Sequence, residues 1–124
     1  MPEHPNATVI RTFYGTPGGP EAAAHLFHED AVWHLPGRHP MSGDHVGRPA
    51  VLAAMGYFDG SVQLELHDVL ANDEHAVALL RATGSRKGKQ YEAREVDVFH
   101  FKDGRIIEFW SFSEDQRMTD EFWS

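Results

Sequence analysis

Cysteine is absent from the 124 residues, which excludes disulfides, a thiol nucleophile and any thiolate metal site. Long apolar runs are absent as well. No stretch approaches the roughly 20 apolar residues that a membrane span needs, and Met1 to Gly15 carries nothing like the apolar core of a secretory signal. A soluble, cytoplasmic protein with no membrane partner is the expectation. Positive charge is scarce: 11 Lys and Arg stand against 19 Asp and Glu, a formal net charge of −8. The basic residues gather only at Arg86, Lys87 and Lys89. A phosphate backbone would be repelled, so nucleic acid is not an expected partner. The nine histidines include His25 and His28 at i, i+3, followed by His34, His39 and His45. No His-Glu-x-x-His or comparable ligand set accompanies them, and the carboxylates are not spaced to complete one, so neither a metal nor an organic cofactor is expected.

What remains is an ordinary globular composition, 41% hydrophobic and 11% aromatic, in a length that fits one domain spanning residues 1–124. Val9, Ile10, Phe13 and Tyr14 fall on one face of a 3.6-residue period, predicting a helix over 4–14. Gly15 to Gly19 breaks it, and Pro20 suits the first turn of a second helix running to about His28. Ala31 to Leu35 reads as a short strand stopped by Pro36-Gly37. A loop of a dozen or so residues follows, of the length that often serves as a lid or binding segment. His39 and His45 lie in it and are expected to be solvent-exposed. A third helix, Ala50 to Phe58, presents Val51, Leu52, Met55 and Phe58 and is stopped by Asp59-Gly60.

The second half is strand. Alternation begins at Val62, Leu64 and Leu66, and further strands cover Ala76–Thr83, Gln90–Phe101 and Arg105–Ser113. Asp103-Gly104 between apolar runs is a strong hairpin signal. Three helices before a run of strands imply an α+β domain, with the helices packed on a curved antiparallel sheet and an apolar pocket between the layers.

Several segments resemble one superfamily, the nuclear transport factor 2-like proteins. Leu26 to Trp33 is similar to its usual passage from helix into first strand. Trp33-His34-Leu35-Pro36-Gly37 with Ser42-Gly43 and Gly47-Arg48, and Phe101 to Trp110 with Asp115 beyond, resemble its SnoaL-like members. The resemblance covers nearly the whole chain and implies the cone-shaped fold of ketosteroid isomerase and the SnoaL-like polyketide cyclases. Asp97-Val98-Phe99-His100-Phe101 is similar to the Asp-x-Phe-x-Phe setting of the isomerase aspartate that donates to an oxyanion, which implies that role for Asp97. Tyr14 matches the tyrosine that completes the isomerase oxyanion hole. Counting back from Pro36-Gly37 puts His34 where the isomerase has its general base; counting forward from the helix puts Leu35 there instead. The isomerase base is a carboxylate and His34 is not. SnoaL-type cyclases carry an acidic residue just after the Trp of the last strand, where this chain has Ser111. The Arg-x-Asp spacing of limonene epoxide hydrolase is missing.

The residues read the same way. Asp97 lies in an apolar run, and on the inner face its desolvated carboxyl would gain pKa and could donate a hydrogen bond; on the outer face it would pair with Arg94 or Arg81. His34 is either a general base or a structural histidine under the loop. Trp33, Phe58, Phe99, Phe109 and Ser111 are the expected substrate-binding wall. On the last strand Phe109, Ser111 and Ser113 share one face; Glu108, Trp110 and Phe112 share the other. The resemblance to the isomerase implies that the first set faces the pocket and the second the outer side of the sheet; an outer face bearing Trp110 and Phe112 implies a homodimer, and the tail from Met118 to Ser124 is expected to pack over the sheet or the pocket mouth. The leading expectation is a cofactor-independent acid–base enzyme acting on an apolar carbonyl-bearing or polycyclic metabolite through an enolate, of isomerase, cyclase or dehydratase type. A non-catalytic small-molecule-binding or oligomerisation domain and an epoxide hydrolase are the alternatives.

Overall fold

The computed structural model describes residues 3–58 and 60–124. Met1 and Pro2 lie outside the described residues, as does Asp59, half of the expected Asp59-Gly60 helix stop. Helix α1 (Pro5–Gly15) opens on a proline, and His4 caps it by accepting the Asn6 backbone N–H at Nδ1 over 3.1 Å. The Asn6 amide donates to the carbonyls of Asn72 at 2.9 Å and Asp73 at 3.1 Å, tying the helix start to a sheet turn. Ile10 is fully buried, with Val9, Phe13 and Tyr14 packed beside it, as the periodicity implies.

The expected second helix is a seven-residue 3₁₀ segment, Pro20–Leu26, and strand β1 begins at Phe27, four residues before the expected start. The Phe27 side chain is fully buried, and burying that ring in the sheet ends the helical turn. β1 (Phe27–Leu35) is followed by β2 (Gly43–Val46), a short strand inside the segment expected to be loop, and then by α2 (Arg48–Phe58). Four strands follow: β3 (Val62–Ala71), β4 (His75–Arg86), β5 (Lys89–Lys102) and β6 (Arg105–Ser113). They form the expected antiparallel meander, and the whole sheet has the order β2-β1-β6-β5-β4-β3. It is mixed rather than purely antiparallel. The chain crosses from β1 to the far edge at β3, and the meander then returns β6 alongside β1 in the same direction.

Two tight turns set the registers. Lys87-Gly88 and Asp103-Gly104 both take positive φ at both positions, the type I′ geometry that matches strand twist. The first turn is two residues long because β4 and β5 run further than expected, to Arg86 and from Lys89. The inner face of β4 carries Ala76, Ala78, Leu80 and Ala82, all buried, and three methyl-sized side chains leave room for α1 and for a cavity above the sheet.

The tail forms helix α3 (Gln116–Trp123), capped by Asp115, whose carboxylate accepts the Met118 N–H at 3.0 Å. Two cations meet its C-terminal carbonyls, where the helix dipole favours them. Arg86 donates to Phe122 O at 3.0 Å and Ser124 O at 3.2 Å, and Lys89 donates to Glu121 O at 2.7 Å. Phe122 and Trp123 are buried against Ala82, Tyr91 and Ala93, so the tail roofs the sheet.

Gly84 marks a close approach of two strands: a Cβ there would stand 2.2 Å from the Ser61 carbonyl oxygen and 2.9 Å from Val62 Cα. Both obstacles are backbone and cannot swing away. Gly84→Ala is expected to lower stability by about 1–3 kcal/mol, read from urea denaturation midpoints; an unchanged midpoint contradicts this packing.

Candidate active site

Between the helices and the inner sheet face lies a cavity of about 460 Å³, within the range of small-molecule sites. Phe13 and Tyr14 of α1, Trp33 and Leu35 of β1, Met55 and Phe58 of α2, and Trp123 of α3 make its apolar walls, with Thr16 to Pro20 at one side. Trp33 stacks on Phe109 with centroids 5.1 Å apart and planes at 11°, and the Trp33 indole N–H donates to Ser111 Oγ at 3.0 Å.

The polar part of the wall comes from β5 and β6. A strand presents alternate residues to one face, so Tyr91, Glu95 and Asp97 all turn inward from β5, and Phe109, Ser111 and Ser113 from β6. Asp97 lies directly across from Ser111 in the ladder and is only 7% exposed. Tyr14 donates its hydroxyl to Asp97 Oδ2. Burial pushes the Asp97 pKa up to about 6, while the Tyr14 and Ser111 hydroxyls hold it back by stabilising the charged form. The Tyr14 hydroxyl is itself raised well above its ordinary value, first by burial and then by the Asp97 charge.

Two residues before Asp97, Glu95 accepts the Tyr91 hydroxyl at Oε2 over 2.6 Å, and that hydroxyl shares a 2.8 Å hydrogen bond with Thr119 of α3. Burial pushes Glu95 up to about 7, against the Tyr91 hydrogen bond and with help from the Asp97 charge. Burial likewise raises Tyr91 to about 12. Among the described residues, neither carboxyl forms an ion pair with a cation. Arg81 pairs with Glu92 at 2.5 Å and Arg94 with Glu114 at 2.7 Å, so the arginine partners considered for Asp97 are engaged elsewhere. Two carboxyls titrating near neutrality in an apolar cavity can hold one proton between them, one acting as base and the other as acid.

Of the residues expected at the site, Asp97, Tyr14, Trp33, Phe58, Phe109 and Ser111 line this cavity. Phe99 does not. Its side chain is fully buried behind Phe109, stacked at 5.4 Å and 11°, so it supports the wall without forming it. His34 does not join the cavity either. The pleat of β1 turns Trp33 and Leu35 inward and His34 to the opposite sheet face, which corrects its assignment as the pocket base. There His34 Nδ1 lies 2.7 Å from Asp44 and Nε2 lies 2.6 Å from Glu108, and the ring stacks on Trp110 at 4.9 Å. Burial opposes its charge, but these two carboxylates outweigh that and raise the pKa.

His39, expected to be exposed, is 7% exposed and lines the cavity: its ring meets Phe58 edge-on, and the neighbouring Arg38 N–H donates to Asp120 of α3 at 2.9 Å. His45 is half-buried, with Nε2 2.8 Å from Met41 O. Among the described residues, no three His, Cys, Asp or Glu side chains are grouped as metal ligands, and no helix is long and apolar enough to cross a membrane. Glu95, Tyr91 and His39 were not expected at the site. The alternation that picks out Asp97, carried back along the strand, reaches Glu95 and Tyr91; nothing local in the sequence marks His39.

The chain is similar over 97% of its length to 97% of Bal32a, from a soil-derived mobile gene cassette, at 35% identity and a TM-score of 0.89. A nuclear transport factor 2-like protein from Burkholderia xenovorans LB400 shares 19% identity over 100% of this chain and 99% of that one, with a TM-score of 0.84. A putative SnoaL-like polyketide cyclase from Jannaschia sp. CCS1 shares 16% over 97% and 92%, with a TM-score of 0.76. The last two likenesses speak to fold alone. No curated protein matches the sequence. The cone of helices on a curved mixed sheet, the cavity it encloses and the match of residues 12–109 to the SnoaL-like domain place this chain in the SnoaL-like domain family.

Proposed function

We propose that the chain is a cofactor-independent acid–base enzyme that enolises an apolar, carbonyl-bearing metabolite in the cavity above β5. The observation that carries this reading is the pair Glu95 and Asp97, two inward carboxyls without cationic partners whose pKa values lie at about 7 and about 6. Between those values Asp97 is ionised and Glu95 is protonated. The Asp97 carboxylate takes a proton from the carbon α to the substrate carbonyl. The C–H electron pair becomes the C=C bond, the carbonyl π pair moves to oxygen, and the Glu95 carboxyl protonates that oxygen. Return of the Asp97 proton to a different carbon, with Glu95 recovering its own, completes an isomerisation; attack of the enol carbon on a second carbonyl would complete a cyclisation. Tyr14 acts through Asp97 and is a positioning residue, and Trp33, Phe58 and Phe109 supply a flat apolar wall. This changes the roles expected from resemblance: Asp97 is the base and Glu95 the donor to oxygen, with His34 taking no part.

Exchange of α-protons of 2-tetralone for deuterium, followed by NMR in D₂O, tests the reading without knowledge of the natural substrate. Wild-type protein is expected to accelerate exchange, and Asp97→Asn to lower that acceleration about 10²–10⁴-fold. Binding of the ketone with no acceleration would move the chain to the non-catalytic binding domains.

The pH profile follows from the same pair. Asp97 must be charged, so the rate climbs as pH rises through about 6; Glu95 must be protonated, so it falls above about 7. Glu95→Gln is expected to abolish the alkaline limb. Tyr14→Phe removes a hydrogen bond that lowers the Asp97 pKa and should move the acid limb upward. A profile flat from pH 5 to 9 contradicts the assignment.

We further propose a homodimer through the outer sheet face, where Val77, Val96, Val98 and Trp110 stand half-buried and Phe112 is 46% exposed. Trp110→Arg is expected to convert the dimer to a monomer in light scattering at micromolar concentration. A wild-type monomer under those conditions would exclude the interface.

A further inference from the structure

The His39 side chain stands among the apolar groups of the cavity wall, in the segment that joins β1 to β2. Its backbone is pinned: His39 N–H donates to Ser42 Oγ at 3.0 Å, Ser42 N–H donates to His39 O at 3.0 Å, and Ser42 Oγ donates to Pro36 O at 3.1 Å. The Met41 backbone N–H donates to His39 Nδ1 at 3.2 Å. An Nδ1 that accepts cannot carry the proton of a neutral imidazole, so the proton sits on Nε2. Nε2 makes no hydrogen bond to the described residues, and none of their fully buried polar side-chain atoms lacks a partner, so Nε2 keeps some accessible surface in a residue that lines the cavity and is 7% exposed. The ring meets Phe58 edge-on, with centroids 6.0 Å apart and planes at 89°.

Burial lowers the His39 pKa, the charge of Asp120 on α3 works the other way, and His45 on β2 lowers it further. The group is therefore a neutral N–H donor at physiological pH. The carboxyl pair comes from β5, a different element of the wall. Trp33 spans between them: its indole N–H reaches Ser111 beside Asp97, while its ring contacts Phe58 at 5.7 Å and His45 at 6.1 Å, the groups that flank His39.

We infer that His39 Nε2–H is a second recognition point of the cavity, donating to an acceptor oxygen carried by the ligand away from the group that meets Glu95 and Asp97. The ligand class this selects is an apolar ketone bearing a second carbonyl, ester or ether oxygen across the hydrocarbon frame; a ligand whose distal end is purely apolar leaves a desolvated N–H unpaired. The inference rests on the enolisation reading only for the identity of the first group.

Two near-isosteric probes test it, 6-acetyl-2-tetralone and 6-isopropenyl-2-tetralone, with Kd measured by calorimetry. Wild-type protein is expected to favour the acetyl compound about tenfold. H39L should lose that preference, with the isopropenyl compound binding more tightly than to wild type because no N–H is left unpaired, and H39Q, which keeps an N–H donor, should recover part of it. No preference in wild type, no binding of either probe, or a preference that survives in H39L overturns the inference. Imidazole ¹⁵N shifts of the wild-type protein give an arm free of folding effects: the Nε2–H tautomer is expected at pH 7–8, and an Nδ1–H tautomer overturns the inference. These readouts measure binding and tautomer. They stand if the exchange assay fails, and H39L leaving the preference intact while D97N abolishes exchange would remove this inference alone.

Discussion

Everything about the cavity turns on how the Asp97 and Glu95 carboxyls are held without a counter-cation. In a desolvated setting a carboxylate needs donors, and the fold supplies hydroxyls: Tyr14 and Ser111 for Asp97, Tyr91 for Glu95. A hydroxyl stabilises the charge far less than a guanidinium does, so the burial penalty prevails and both groups settle near neutral pH. Had Arg81 or Arg94 reached the inner face, the carboxyls would be locked in the charged state and unable to exchange protons. The pleat prevents this by placing both arginines on the outer face, against Glu92 and Glu114.

The rest of the architecture keeps that arrangement dry. Alanines on the inner face of β4 let α1 come close, which brings Tyr14 to Asp97. The stacked series Trp33, Phe109 and Phe99 stiffens the wall beside Ser111. Helix α3 closes the other side, and its Thr119 hydroxyl completes the Tyr91 network. Arg86 and Lys89 at the end of α3 thus act on the site indirectly, by fixing the helix whose Thr119 and Trp123 line it.

The order of the elements apart from β2 and α3, the Asp-Gly hairpin, the inner face of α1 and the acid on β5 are legible in the sequence, since each rests on local periodicity or turn chemistry. The misplacement of His34 has a plain physical origin. Whether a strand residue faces in or out depends on register, and register is set by partners far away in the chain. His34 fell on the wrong face for this reason; the alternative count, with Leu35 inward, is the one the sheet adopts. Glu95 is masked by its polar neighbours Glu92 and Arg94, which make that stretch look solvated, although it shares the face of Asp97 two residues before it. His39 was illegible in a stronger sense: only the β1–β2 pairing and the approach of α3 bury it.

The same carboxyls exact a stability cost that runs with pH. In the unfolded chain Asp97 and Glu95 titrate near 3.8 and 4.5; in the fold they do so near 6 and 7. Between those limits the native state binds more protons than the unfolded state, so stability falls as pH rises from about 4 to about 7 and then levels off. Substitution by Asn or Gln removes the ionisation and with it the penalty at neutral pH. A fold selected only for stability would not keep two such groups facing one cavity, whereas a site that must pass a proton between substrate positions has use for both. The energetic disadvantage therefore supports reading the pair as chemistry rather than as packing.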